Sequence, residues 1–293
     1  MLPRTKVELI EWLNARGIRL RRRDGQNFLI ESKLADAIVS DAGVTSRDSV
    51  VEIGPGAGAL TIPLLHRAGR VTSVEIDRGL VELLRPEFGP DPRLRLVHGD
   101  ALDGPEGLHP DIVNELDGAR AEGFERVIVV ANLPYSVGTE VVIRLLTRER
   151  PPDAITVMLQ AEVVGRIVAK PRTEAYGPLA VLVALTSRVR TTRRIGPRAF
   201  FPQPEVDSVV VRIDPDPAKR AAGDVRGAVD LARKAFLQRR KKLLRALEGV
   251  ASEEAIVRAG IDPAARAETV SPADWLRLAA SCAAPAPPAE PGS

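Results

Sequence analysis

The chain has 293 residues, of which 44% are hydrophobic and 28% charged. Those are the proportions of a globular protein, and the length allows one full domain plus a smaller one. A single cysteine, Cys282, excludes an internal disulfide and a cysteine-rich zinc site. No apolar stretch is long enough to span a bilayer and the amino terminus has no signal-peptide core, so a cytoplasmic protein without a membrane partner is expected.

The formal net charge is only +3, yet the sequence pI is about 9.2 and the basic residues cluster. "RLRRR" ends at Arg23, "SRVRTTRR" ends at Arg194, and "QRRKKLLR" runs from Gln238 to Arg245. Such clusters neutralise phosphates and release counterions. Solvated arginine is the alternative for any one of them; three together point to a polyanionic partner.

In chain order, "TKVELIEWLNARG" predicts an amphipathic helix. The apolar runs at 49–53, 70–76, 94–98, 126–131 and 154–160 predict strands. The stretches between several of them repeat apolar residues at helical spacing. Strand–helix alternation of this kind makes an α/β fold, a parallel sheet with helices on both faces. The segment from Gly104 to Gly123 reads as a surface insertion with one short helix. "LAVLVALTSRV" and "VDSVVVRI" are expected to add two strands. From about Val225 to Ser281 the pattern is helical throughout. The expected organisation is a main domain over 1–217, a helical domain over 218–282, and a disordered proline-rich tail over 283–293. No internal repeat is visible.

The chemistry concentrates at strand ends. "VVEIGPGAGALT" puts Gly54, Gly56 and Gly58 between the first long strand and a helix, where main chain turns sharply and a ligand can approach it. A tight turn without a ligand, or a dinucleotide site, would also fit. Glu75 ends the next strand, where a carboxylate can accept both hydroxyls of a ribose. Asp100, in "HGDA", ends the third, where a carboxylate can accept from an adenine amino group. "ANLPYSVG" then follows the fourth, bringing Asn132, Pro134 and Tyr135, one of only two tyrosines. In an open parallel sheet these carboxyl ends share one crevice. Glycine loop, two acids and polar corner in that order fit S-adenosyl-L-methionine better than a dinucleotide.

With these pieces the chain, from about Leu20 to Ala279, resembles the ribosomal RNA adenine dimethyltransferases. The resemblance rests on the ordered set "GQNFLI", "VEIGPGAGALT", "VEID", "GDAL", "ANLPYSV", "MLQAEVVGRIVA", "AYGPLAVLV", "AFFPQPEVDSVVVR" and "FLQRRKKLLRAL". It implies a Rossmann-like methyltransferase sheet with a small carboxy-terminal helical domain. It also implies that Asn27, Leu29, Gly54, Gly56, Glu75, Asp100 and Asn132 line the cofactor pocket. The adenine N6 lone pair is delocalised into the ring. Acceptors for its amino protons are expected from the Asn132 side chain and from a main-chain carbonyl near Leu133 or Pro134. Pro134 restrains that turn, and Tyr135 offers a face for the base.

Phe200 matches the family's aromatic-Pro-x-Pro loop and is expected to stack on the far face of a flipped adenine. Phe201 beside it suits the core equally well. Arg239, Arg240, Lys241, Lys242 and Arg245 are expected on a helix as phosphate contacts. Glu162 and Arg166 read as structural pairs, and the scattered histidines His66, His98 and His109 suggest no metal site. The resemblance implies 16S rRNA in the 30S particle or its precursor as partner, and a monomer. A 23S rRNA adenine methyltransferase of the erythromycin-resistance type, a DNA adenine methyltransferase, and a non-catalytic RNA-binding assembly factor remain the alternatives.

Overall fold

The structure is a computed structural model that describes residues 2–3, 5–15, 27–104 and 107–283. The basic run ending at Arg23, the first two residues of "GQNFLI", and the proline-rich stretch from 284 onward lie outside the described residues. The chain divides into two compact units. One is Met1–Val164 with Val189–Pro215; the other is Gly165–Arg188 with Asp216–Ser293.

The first unit opens with helix α1 (Lys6–Asn14), strand β1 (Phe28–Leu29) and helix α2 (Ser32–Asp41). There follow β2 (Asp48–Ile53), α3 (Thr61–Leu65), β3 (Arg70–Glu75), α4 (Arg78–Phe88), β4 (Leu94–His98), α5 (Pro110–Gly118), β5 (Arg126–Asn132), α6 (Gly138–Thr147) and β6 (Ala154–Gln160). Helix α7 (Ala161–Ile167) ends the run. Strands β2 and β5 are buried along nearly their whole length. This is why their sequences read as continuous β-branched runs instead of alternating ones. The seven-stranded sheet has the order β4-β3-β2-β5-β6-β9-β7, where β7 is Ser187–Ile195 and β9 is Ser208–Pro215. Pairing is parallel from β4 to β6, and β9 runs antiparallel to β6. The short β8 (Phe200–Phe201) pairs with β1. From β2 the chain steps outward to β3 and β4, then returns to place β5 on the other side of β2. The strand order therefore reverses between β2 and β5, which opens a crevice at their carboxyl ends.

The segment expected to be a surface insertion belongs to the core. Leu108, Ile112, Leu116 and Ala119 are buried, and α5 lies against the sheet. Glu115 anchors it: one oxygen accepts from Ser49 Oγ on β2 at 2.5 Å and the other from Thr72 Oγ1 on β3 at 2.9 Å. Arg70 donates to the same carboxylate from Nε at 2.9 Å and from Nη2 at 2.5 Å.

The second unit corrects two further expectations. "LAVLVALT" is not a strand but most of helix α8 (Pro178–Thr186), and β7 begins only at Ser187. Pro178 occupies the first helical turn, where its missing N–H costs nothing, and Ala180 to Val183 are all buried. After α9 (Pro217–Arg220) comes α10 (Val225–Leu237), which stops at Leu237. Arg239 to Lys242 therefore lie on a turn and Arg245 on the short helix after it, so the helix expected through "RKAFLQRRKKLLRAL" is broken. The cause is visible at Arg239. Its guanidinium donates to Glu268 at 2.8 Å and to the carbonyls of Glu174 at 2.7 Å and Thr173 at 3.3 Å. The chain resumes as α11 (Leu243–Ala246), α12 (Glu253–Arg258) and α13 (Pro272–Ala283). The Tyr176 hydroxyl donates to the Val270 carbonyl at 2.8 Å, and its ring meets Phe236 edge-on at 5.9 Å. Among the described residues, no helix is long and apolar enough to cross a membrane.

Candidate active site

The crevice between β2 and β5 opens into a cavity of about 860 Å³, ample for a nucleoside-sized ligand. Asn27, Leu29, Gly54, Gly56, Glu75, Asp100, Asn132, Leu133, Pro134 and Tyr135 all line it. Gly54 follows β2 with φ +70, and a Cβ built there meets nothing within 4 Å. Main chain is thus presented directly to the cavity. Gly56 (φ +58) closes the turn over the Phe28 ring, which a Cβ would approach to 3.1 Å.

The walls are acidic. Glu75, at the end of β3, is buried, and its two oxygens accept the Gly56 and Asp77 N–H groups, each at 3.0 Å. Burial raises its pKa, which those backbone bonds oppose and the Asp77 charge reinforces. Asp100 is exposed beyond β4, with one oxygen accepting the Leu102 N–H at 2.9 Å. Glu52, within β2, is a fourth carboxyl on the wall with Asp77 and is 1% exposed. Among the described residues, Arg78 is the single lysine or arginine on the lining. Such a surface suits a cationic ligand.

At the end of β5 the Asn132 amide donates from Nδ2 to the Asn27 carbonyl at 2.9 Å. That bond fixes which end of the amide faces the chain and leaves Oδ1 as a free acceptor. The next two carbonyls differ. Pro134 accepts N–H bonds from Val137 at 3.2 Å and Gly138 at 3.1 Å, starting α6, and so is already engaged. Among the described residues the Leu133 carbonyl has no such partner, which leaves it open as an acceptor. The Tyr135 hydroxyl shares a 3.0 Å hydrogen bond with Ser208 Oγ on β9, tying down one edge of a ring that lines the cavity.

Phe200 is not on the cavity wall. It is 3% exposed and packs with Leu29, Ile38, Ile195 and Val210 in the core under the sheet. Antiparallel pairing of β8 with β1 sets Phe200 opposite Leu29 and turns the ring inward. Phe201 is only partly buried, with Lys6 Nζ 5.0 Å from its ring centroid. The basic group sits in the other unit. There Arg240, Lys241, Lys242 and Arg245 are exposed, Arg239 is engaged as described, and Arg245 pairs with Glu248 at 3.4 Å. Sequence reasoning missed Glu52. The available signal was a charge inside an otherwise apolar buried strand, a placement that is costly unless it serves something.

Glycine turn, acid at the second strand end, acid at the third and an Asn-Leu-Pro-Tyr corner at the switch point make this an S-adenosyl-L-methionine-dependent methyltransferase with a Rossmann-like sheet. The family model for ribosomal RNA adenine dimethylases matches residues 17–284. The chain is 38% identical over 275 residues to the "Ribosomal RNA small subunit methyltransferase A" of Phenylobacterium zucineum, covering 94% of this chain and 92% of that one. It belongs to the ribosomal RNA adenine dimethylase family. Among solved structures it superposes on a dimethyladenosine transferase from Plasmodium falciparum with a TM-score of 0.68 at 22% identity. That match covers 84% of this chain and 94% of the other. The 23S rRNA methyltransferase ErmE gives a TM-score of 0.63 at 26% identity, covering 87% and 99%.

Proposed function

We propose that the protein dimethylates N6 of two adjacent adenines near the 3′ end of 16S rRNA, within the 30S particle or its precursor. It acts in the cytoplasm as a monomer. The observation that carries this reading is the corner itself: Asn132 Oδ1 and the Leu133 carbonyl stand free beside a cavity suited to a cation. When bound, the cofactor supplies an electrophilic methyl group on its sulfonium. The two acceptors take hydrogen bonds from the adenine amino group and draw its lone pair out of the ring. The Tyr135 ring, anchored through Ser208, holds the base, which has left its stack. Alignment then supplies most of the catalysis. The main-chain turn at Gly54 and Gly56, with Asn27 and Leu29, holds the amino-acid end of the cofactor. Glu75 takes the ribose and Asp100 the adenine amino group.

Residues 1–217 thus hold cofactor and base, while 218–282 grip RNA through Arg240, Lys241, Lys242 and Arg245. Similarity to a small-subunit enzyme over nearly the full chain favours that target over 23S rRNA. The intact corner favours an enzyme over a non-catalytic factor. Incubation with labelled cofactor and unmethylated 30S particles, 50S particles or duplex DNA tests the choice. Label is expected in 30S RNA, and label confined to 50S RNA overturns it.

Two variants probe the roles separately. Glu75→Ala removes the ribose acceptor, and cofactor affinity is expected to fall about 10- to 100-fold by equilibrium dialysis, with rRNA affinity unchanged. Replacing Arg240, Lys241 and Lys242 together by alanine does the reverse. The slope of log affinity against log salt is expected to flatten by about 0.7–0.9 per lost phosphate contact, and cofactor affinity stays as it was. An unchanged slope removes the basic turn from the RNA interface.

A further inference from the structure

Glu52 sits in the middle of the cavity floor. It pairs laterally with Ser73 on β3 and Val130 on β5. Side chains alternate faces along a strand, so Glu75, two residues past Ser73, and Asn132, two past Val130, project on its own face. Glu52 therefore lies between them, one pleat lower, under the turn at Gly54. Its Oε2 accepts from Ser73 Oγ at 2.6 Å and Thr61 Oγ1 at 2.8 Å, while its buried Oε1 has no hydrogen-bond partner. An ionised carboxylate there leaves a buried anionic oxygen without a donor.

Among the described residues, the charged and titratable groups lining the cavity from neighbouring elements are Glu75 on β3, Asp77 and Arg78 at the start of α4, His98 and Asp100 at the end of β4, and Tyr135 after β5. Thr61 on α3 and Asn132 on β5 are neutral. Arg78 is 77% exposed and occupied with Glu82 at 2.8 Å, so among the described residues no lysine or arginine sits against Glu52. Burial pushes the Glu52 carboxyl up to about 7. The Ser73 and Thr61 hydroxyls oppose that rise and the Glu75 charge adds to it.

We propose that Glu52 is protonated in the ligand-free protein and releases its proton to solvent when the sulfonium-bearing methyl donor binds. The protein then prefers the donor over the neutral thioether product more strongly as pH rises. This rests on the S-adenosyl-L-methionine site. Donor and product differ by one positive charge at the sulfur, and a carboxylate in mid-floor gains from that charge only when ionised. Below about pH 7 the donor must displace a proton, and above it there is none to displace.

The sign of the folding linkage agrees. With its value raised from 4.5 to about 7, the group's contribution to stability is complete below about 4.5. It is lost as pH rises through about 7. The melting temperature of the ligand-free protein should fall between pH 5 and pH 8 (about three units apart) by more in wild type than in Glu52→Gln.

Titration calorimetry of the full chain decides the matter. At about pH 6.5 the ligands' α-amino groups stay charged, and two buffers of different ionisation heat count the protons released. Wild type should release roughly three-quarters of a proton on binding S-adenosyl-L-methionine and far fewer on binding S-adenosyl-homocysteine. From about pH 6 to 8 its preference for the donor should rise about tenfold beyond any rise in Glu52→Gln, whose remaining pH dependence belongs to the ligands and to the other titratable groups on the lining. If that variant does not fold, the wild-type proton count decides alone. Equal proton release with both ligands overturns the proposal while leaving the cofactor site intact. Binding of neither ligand refutes both.

Discussion

Asn132→Ala is expected to lose methyl transfer by about 100- to 1,000-fold, the loss seen when one preorganised hydrogen-bonding group at a reacting centre is deleted. Affinity for rRNA should stay within about a factor of two, because the phosphate contacts proposed above lie on other residues. The size follows from the geometry. The Asn27 carbonyl holds the amide nitrogen at 2.9 Å, so the oxygen points to the cavity without having to be ordered during the reaction. Alanine removes that acceptor and leaves the Leu133 carbonyl as the sole one. The substitution also removes the hydrogen bond to the Asn27 carbonyl, which should cost about 1 kcal/mol of stability, too little to explain a lost activity. Single-turnover transfer with saturating cofactor separates the effects. Near-normal turnover removes Asn132 from the chemistry.

The largest effect on stability is expected at Glu115→Ala, about 3–5 kcal/mol by urea unfolding. The Glu115 side chain is 5% exposed and serves Ser49, Thr72 and Arg70 together. Truncating it strands two hydroxyls buried within the sheet and leaves the Arg70 guanidinium facing a cavity. Arg70 keeps Glu122 at 2.6 Å and lies 4.6 Å from the Phe124 ring centroid, so part of its environment survives. Glu115→Gln should cost less, because it retains an acceptor. A change under about 0.5 kcal/mol for the alanine variant would mean that α5 is held by its apolar residues alone.

The catalytic edge was legible because every group on it occupies the end of a strand, and buried parallel strands announce themselves as β-branched runs. Gly54, Glu75, Asp100 and Asn132 could be placed on one crevice from their spacing. Elements whose period is hidden were not legible. "LAVLVALT" is apolar on all sides, so neither a helical nor an alternating pattern shows, and a buried helix reads as a strand. Helix α5 looked like an insertion because its anchor, Glu115, is a charge, and the partners that satisfy it are supplied by strands 43 and 66 residues away. Tertiary bonds also overrode local pattern at Arg239, where carbonyls from a distant loop end a helix that the sequence would continue. Phe200 could be matched to a motif, but which way its ring turns depends on pairing with Leu29, across most of the unit. Glu52 lay hidden inside a strand and acquires meaning only when the cavity floor is seen.

The central claim, that this corner delivers methyl groups to adenine N6 in small-subunit RNA, is tested most directly by nucleoside mass spectrometry. The RNA is recovered from unmethylated 30S particles after incubation with the protein and S-adenosyl-L-methionine. The account predicts N6,N6-dimethyladenosine at about two residues per particle, and at least about 100-fold less formed in the same early time with Asn132→Ala. Methylation at another atom, or the same product yield from the Asn132→Ala protein, would contradict it.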